Sequence, residues 1–219
     1  MVLVVDGHGH YRNLIPELLH PAAELIQGKP RQLGMLAGID TGVDALMMVG
    51  YHGGAHSSGT LAHTMNGFAF SRVWIGEKDA SEAAIYGALA AEFGVPVVLV
   101  SGDDVTVDEG QRLFPLAQGV AVKRALGCVA ASSLSPQEAC RRLQAGAERA
   151  LATLPEPASA PRAPLSCRLQ VRNTAMADLF ALLPLVERLD PVTVGFGAPS
   201  MQYTVRMLAS LSAMAQSLR

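Results

Sequence analysis

Aromatic residues are scarce in this sequence, and so is charge. Phe, Tyr and Trp make up 5% of the 219 residues and Asp, Glu, Lys and Arg 16%, against 50% apolar residues. So little charge on so apolar a chain excludes an intrinsically disordered protein and leaves a core built from small aliphatics. It also leaves surface to be buried between subunits, so a homo-oligomer is expected. Basic clusters are missing: the formal net charge is −2, and no basic stretch is longer than a pair such as Lys123-Arg124. That excludes the electrostatic footprint of a nucleic-acid binder. The three cysteines, Cys128, Cys140 and Cys167, are odd in number and share no CxxC spacing. A disulfide framework and a structural cysteine–zinc site are excluded, and a reducing, cytoplasmic setting is expected. No apolar run reaches the roughly 18–20 residues of a membrane span. The apolar start, Met1 to Val5, has no positive segment before it and reads as a core strand rather than a signal peptide.

Three apolar runs end in polar, glycine-rich loops. Val2 to Val5 opens into Asp6-Gly7-His8-Gly9-His10, Ala45 to Gly50 into Tyr51-His52-Gly53-Gly54, and Val95 to Val100 into Ser101-Gly102-Asp103-Asp104. Buried strands that open this way are the usual layout at the carboxyl edge of a parallel sheet. Helices are expected between them. Ser81 to Phe93 is alanine-rich, with Ser81 placed to cap it and Gly94 placed to end it. Asp103-Asp104 caps a helix to about Phe114, and Ser135-Pro136 starts one to about Leu151. Beyond a stretch with four prolines, a strand is expected at Leu165 to Val171, a helix at Ala175 to Leu183, a strand at Val192 to Phe196 and a last helix from Ser200 to Leu218. The expected architecture is α/β: a mainly parallel sheet flanked by helices over 1–154, a proline-rich linker at 155–164, and a smaller C-terminal part over 165–219.

All six histidines, His8, His10, His20, His52, His56 and His63, precede residue 64. Structural histidines have no reason to avoid the rest of a chain, whereas a metal or acid–base site has a reason to concentrate them. His8 and His52 each stand just past a strand end, so on neighbouring strands their imidazoles would share a crevice. A carboxylate there would complete a catalytic zinc set with an open position, and Asp6, Glu77, Asp79 and Glu82 are the candidates. Each has a plainer reading. Asp6 fits better as a group that orients His8 than as a ligand. Glu82 in a first helical turn complements the helix dipole, and lone loop histidines such as His10, His20 and His56 are usually solvated. The glycine-rich Gly50 to Gly59 lacks the Lys-Ser/Thr ending of a phosphate loop, and Ser57-Ser58 lacks the setting of a serine nucleophile.

In order along the chain, Val4-Val5-Asp6-Gly7-His8, Gly50-Tyr51-His52, Leu61-Ala62-His63-Thr64-Met65, Glu82 opening a helix, Val95 to Asp104, Ala121 to Arg124 and Ser133 to Pro136 resemble the DppA-type D-aminopeptidases, the M55 zinc metallopeptidase family. The resemblance implies a two-zinc site that activates water to cleave an N-terminal D-residue from a short peptide. It places His8, His52 and Glu82 on metal-ligand positions and His63 on a catalytic one, and it implies a large ring-shaped homo-oligomer such as a decamer. Family members also carry an earlier strand with an Asp-x-Glu pair that ligates both metals. No such pair stands near residue 1, and Asp108-Glu109 has the wrong spacing. Three expectations follow: a protein with a longer true start, which is the favoured one; a shortened relative holding one metal or none; or an inactive peptide-binding or scaffold homologue.

Overall fold

A computed structural model describes residues 1–219. The strands are β1 (Val2–Val5), β2 (Ala23–Ile26), β3 (Leu46–Met48), β4 (Phe70–Ile75), β5 (Lys78–Asp79), β6 (Val97–Asp103), β7 (Gln118–Gly127), β8 (Ala130–Ser133), β9 (Leu165–Val171), β10 (Glu187–Asp190) and β11 (Thr193–Ala198). The helices are α1 (Glu82–Glu92), α2 (Asp104–Leu113), α3 (Pro136–Ala152), α4 (Thr174–Phe180) and α5 (Met201–Met214). No helix is long and apolar enough to cross a membrane.

Strand β6 is buried along its whole length, as its apolar run requires, and pairs in parallel with β3 on one side and β7 on the other. Helix α3 packs on this sheet from one face, where Val98, Leu99, Val120 and Ala150 form a small cluster. Gly102, near the end of β6, lies so close to the preceding loop that a β-carbon there would stand 2.5 Å from the backbone oxygen of Tyr51. That approach sets the backbone just before His52.

The mainly parallel sheet expected from the three apolar runs is only partly present, because the strands divide among three sheets. β3, β6 and β7 are parallel with β8 antiparallel at the edge, β1 and β2 form a separate parallel pair, and five strands in the order β10-β11-β9-β4-β5 are antiparallel. Strand β1 is therefore not a sheet neighbour of β3, and His8 and His52 do not stand at adjacent strand ends. The antiparallel sheet has a local cause at one edge: Gly76, at φ +60, opens the two-residue turn that folds β5 back on β4.

Residues 155–164 carry no helix or strand, as four prolines dictate. The chain beyond them inserts β9 next to β4, with Val73 opposite Leu169 and Ile75 opposite Cys167. One apolar core runs through both parts, from Phe70, Ile85 and Leu89 to Phe180, Val205 and Leu208. The C-terminal segment thus completes the core that supports α1, and α1 begins with Glu82.

Candidate metal centre

Residues 51–66 form a loop with no regular element of its own, yet it carries two imidazoles to one carboxylate. The Nε2 atom of His52 lies 3.6 Å, and that of His63 3.7 Å, from Oε1 of Glu82. The two rings stack with centroids 3.9 Å apart. Glu82 is aimed there by its place in α1. Ser81 caps the helix by accepting from Ala84 N–H, and the glutamate of the first turn bends back over the loop, where Oε1 accepts from Met65 N–H at 2.5 Å. Only 7% of Glu82 is exposed. A carboxylate serving the helix dipole alone would have no reason to be buried under two histidines.

The ring tautomers follow from their partners. The Nδ1 of His63 lies 2.7 Å from the Leu61 carbonyl oxygen, and the Nδ1 of His52 lies 3.2 Å from that of Gly53. A carbonyl only accepts, so each Nδ1 carries a proton, and each ring turns its Nε2 to Glu82. Burial pushes the His52 imidazole below its ordinary range. The Glu82 charge opposes this, while His63 and His8 add to it, so the ring is neutral at pH 7. At 3.6 and 3.7 Å the N···O pairs are too long for hydrogen bonds. Zinc bonds of about 2.0–2.1 Å at tetrahedral angles separate ligand atoms by roughly 3.3 Å, so small rotations bring these three onto one ion. All three ligand atoms lie within 4.8 Å of one another. Donor type, tautomer and spacing fit zinc.

The structure thus brings together His52, His63 and Glu82. His63, expected beside the ligands, has its Nε2 among them. His8 lies on the neighbouring 6–14 loop, exposed, with its ring outside the three-residue cluster but near enough for its charge to act on His52. Asp6 meets His8 through the backbone: Oδ1 accepts from His8 N–H at 3.3 Å, and Oδ2 from Asn13 N–H at 2.5 Å and Leu14 N–H at 2.8 Å. The Asn13 side-chain amide bonds both Asp6 and the His8 carbonyl, closing the turn. His20 is occupied locally, its Nδ1 accepting from Ala22 N–H, and His10 and His56 are exposed away from the cluster. Glu77 and Asp79 pair with Arg168 and Arg72 on the antiparallel sheet.

Burial raises the Asp6 carboxyl, but the donors of Leu14, Asn13 and His8 outweigh it and hold the group at about 2 instead of 3.8. Its contribution to stability is therefore complete above pH 3.8 and lost as pH falls towards 2, where the folded form at last takes up the proton. Asp6→Asn should lower the unfolding free energy by about 1.5–3 kcal/mol, the value of hydrogen bonds to a buried charge. It should also flatten the decline of stability between pH 4 and 2, as read from urea midpoints across that range.

Sequence reasoning missed the tyrosines around the carboxylate. Tyr11, at φ +59, follows His8 in its turn, and its ring lies under the Arg31 guanidinium at 4.1 Å. Burial raises the phenols of Tyr11, Tyr51 and Tyr86, and the Glu82 charge adds to each. Nothing local marks these residues as neighbours. Also missed was the bracing of the 51–66 loop by two acids of β6 and α2: Asp103 Oδ2 accepts from Thr60 N–H at 2.5 Å, and Glu109 Oε2 from Gly54 N–H at 3.1 Å. In the sequence Asp103-Asp104 reads as a helix cap ahead of a metal pair, and neither reading marks a brace for this loop.

Comparison with known proteins identifies the family. Residues 1–210 match the sequence model of the Peptidase M55 family, described as D-aminopeptidase. A D-aminopeptidase of Bacillus subtilis (strain 168) is 32% identical over 203 residues, covering 91% of this chain and 73% of the relative. The solved structure of a protein described as the Zn-dependent D-aminopeptidase DppA from Bacillus subtilis, a self-compartmentalizing protease, superposes with a TM-score of 0.93 at 29% identity. That match covers 98% of this chain and 79% of the other. A family match over nearly the whole length, with the two imidazoles and the carboxylate gathered as above, shows that this chain belongs to the M55 D-aminopeptidase family.

Proposed function

We propose that the protein is a zinc-dependent aminopeptidase that removes N-terminal D-residues from short peptides. The observation that carries this reading is the meeting of two imidazole Nε2 atoms with a buried carboxylate oxygen. Zinc held there supplies a Lewis acid that polarises the scissile carbonyl and makes water a nucleophile near neutral pH. Glu82 and His52, the two more buried members, hold the ion, and His8 joins them from the facing loop. His63 has the most exposed side chain of the three, at 32% against 18% for His52 and 9% for Glu82. With Nδ1–H fixed on the Leu61 carbonyl, Nε2 is the atom that takes a proton from water and returns it to the leaving amine.

A second reading has its own support, because the Nε2 of His63 belongs to the one group whose ligand atoms lie within 4.8 Å of each other. In that arrangement His63 is the third ligand. Glu82 is the only carboxylate in the group, and a second ion beside the first would need further anionic oxygens to offset the repulsion.

A closed homo-oligomer is part of the proposal. It is supported by large apolar side chains left in solvent, Leu18 at 79%, Val129 at 87% and Leu182 at 75% exposed. A cytoplasmic setting is supported by the three cysteines, all unpaired. The test is release of D-alanine from D-Ala-D-Ala by the purified protein, with L-Ala-L-Ala as control. Expected is preferential cleavage of the D-peptide, lost on chelation and restored by zinc. Protein that binds zinc but cleaves no peptide with an N-terminal D-residue would overturn the reading and favour a peptide-binding homologue.

A further inference from the structure

The loop that carries His63 is held from outside. Thr60 N–H reaches Asp103 Oδ2 at 2.5 Å, Thr60 Oγ1 donates to the Ala130 carbonyl at 3.3 Å, and Leu61 N–H donates to the Cys128 carbonyl at 2.7 Å. Between these tethers and His63 stands Leu61 at φ +57, a left-handed conformation that a leucine adopts only when its surroundings impose it. The Leu61 carbonyl is the acceptor that fixes the His63 ring.

Asp103 is 1% exposed and uses its two oxygens differently. Oδ1 accepts from Thr106 N–H at 2.7 Å and Thr106 Oγ1 at 2.6 Å, which caps α2. Capping needs one oxygen, and serine or asparagine supplies it as well as aspartate does. Only the second oxygen reaches the loop.

The geometry points to Asp103 as a positioning residue for His63. Through Thr60 and the left-handed Leu61, it holds the carbonyl that keeps the imidazole proton on Nδ1 and Nε2 facing Glu82. Without Oδ2, Thr60 N–H loses its acceptor, the segment keeps only its bonds to the Ala130 and Cys128 carbonyls, and the strained Leu61 relaxes so that its carbonyl turns from the ring. His52 has its own acceptor in the Gly53 carbonyl and meets this route only where that carbonyl also accepts from His63 N–H at 3.2 Å.

Asp103→Ser keeps a capping oxygen but cannot span to Thr60. Asp103→Asn keeps the volume and the cap but sets an amide donor against Thr60 N–H. The primary readout is nitrogen NMR of the histidine rings in zinc-free protein, which reports the tautomer whether or not the protein is an enzyme. Expected is a single Nδ1–H form at His63 in the parent, and a mixture of tautomers at His63 alone in the variants. Thr106→Val, which trims only the cap side, should leave His63 as in the parent. The kinetic readout rests on the aminopeptidase reading: turnover should fall about tenfold or more, with KM within about twofold and zinc content unchanged. An unchanged His63 tautomer, equal disturbance of His52 and His63, or failure of both variants to fold would each overturn the inference. A tautomer change in a protein without peptidase activity would uphold the positioning role and remove the proposed function.

Discussion

Glu82→Gln is expected to abolish zinc retention and, with it, zinc-dependent peptide cleavage. Glutamine has nearly the same shape, and its carbonyl still accepts from Met65 N–H, so the loop and α1 keep their contact. What is lost is the one negative charge facing two imidazoles. Removing a group that merely supports a ligand lowers metal affinity roughly 10- to 100-fold, and a direct anionic ligand should exceed that. The variant also separates metal binding from folding. In zinc-free protein a carboxylate only 7% exposed has the Met65 N–H as its one hydrogen-bond donor, and glutamine keeps that bond without a charge to desolvate, so zinc-free Glu82→Gln should unfold at the same temperature as the zinc-free parent or above it. Zinc should raise the melting temperature of the parent, through preferential binding to the folded state, and not that of the variant. Zinc-induced stabilisation of Glu82→Gln equal to that of the parent would contradict the assignment.

The second large effect divides His63 from His8. His63→Ala should retain zinc while turnover falls about 10²- to 10⁴-fold, the range for loss of a positioned proton-transfer group. His8→Ala and His52→Ala should instead lose zinc. The opposite pattern, zinc lost in His63→Ala and kept in His8→Ala, would establish the three-residue ligand set and move the proton-transfer role elsewhere. Equilibrium dialysis with zinc, run beside peptide hydrolysis, distinguishes the two.

The parts of the fold legible in the sequence were those with a local physical signature. The apolar run of β6, the serine caps before α1 and α3, the Asp103 cap of α2 and the left-handed Gly94 after α1 all lie within a few residues of the cause that produces them. Strands β4, β7 and β10 lacked one. β4 and β7 mix charged or polar residues with apolar ones, as in Arg72-Val73-Trp74, and owe their state in part to β9 and β6, while β10 is a mostly exposed edge strand of Glu, Arg, Leu and Asp held only by β11. The pairing of β4 with β9 joins residues about a hundred positions apart across a proline-rich connection, and no periodicity encodes that register.

The site divides in the same way. Clustering of histidine before residue 64 and a glutamate at the start of a capped helix were visible as residue types. His52 and Glu82 stood among the candidates, and their side chains face each other. The approach of the His63 Nε2 was not visible, because it depends on tethers to Asp103, Cys128 and Ala130, none of them near in sequence. The place of His8 depends on β1 joining β2 rather than β3, a choice between two apolar strands that their compositions do not decide.

The most direct measurement is the anomalous scattering of zinc in crystals of the protein grown with the metal. A peak is expected within about 2.0–2.2 Å of His52 Nε2 and Glu82 Oε1, with an open position towards solvent. A peak elsewhere, at a cysteine or at Glu77 or Asp79 of the antiparallel sheet, with none between that imidazole and that carboxylate, would contradict it.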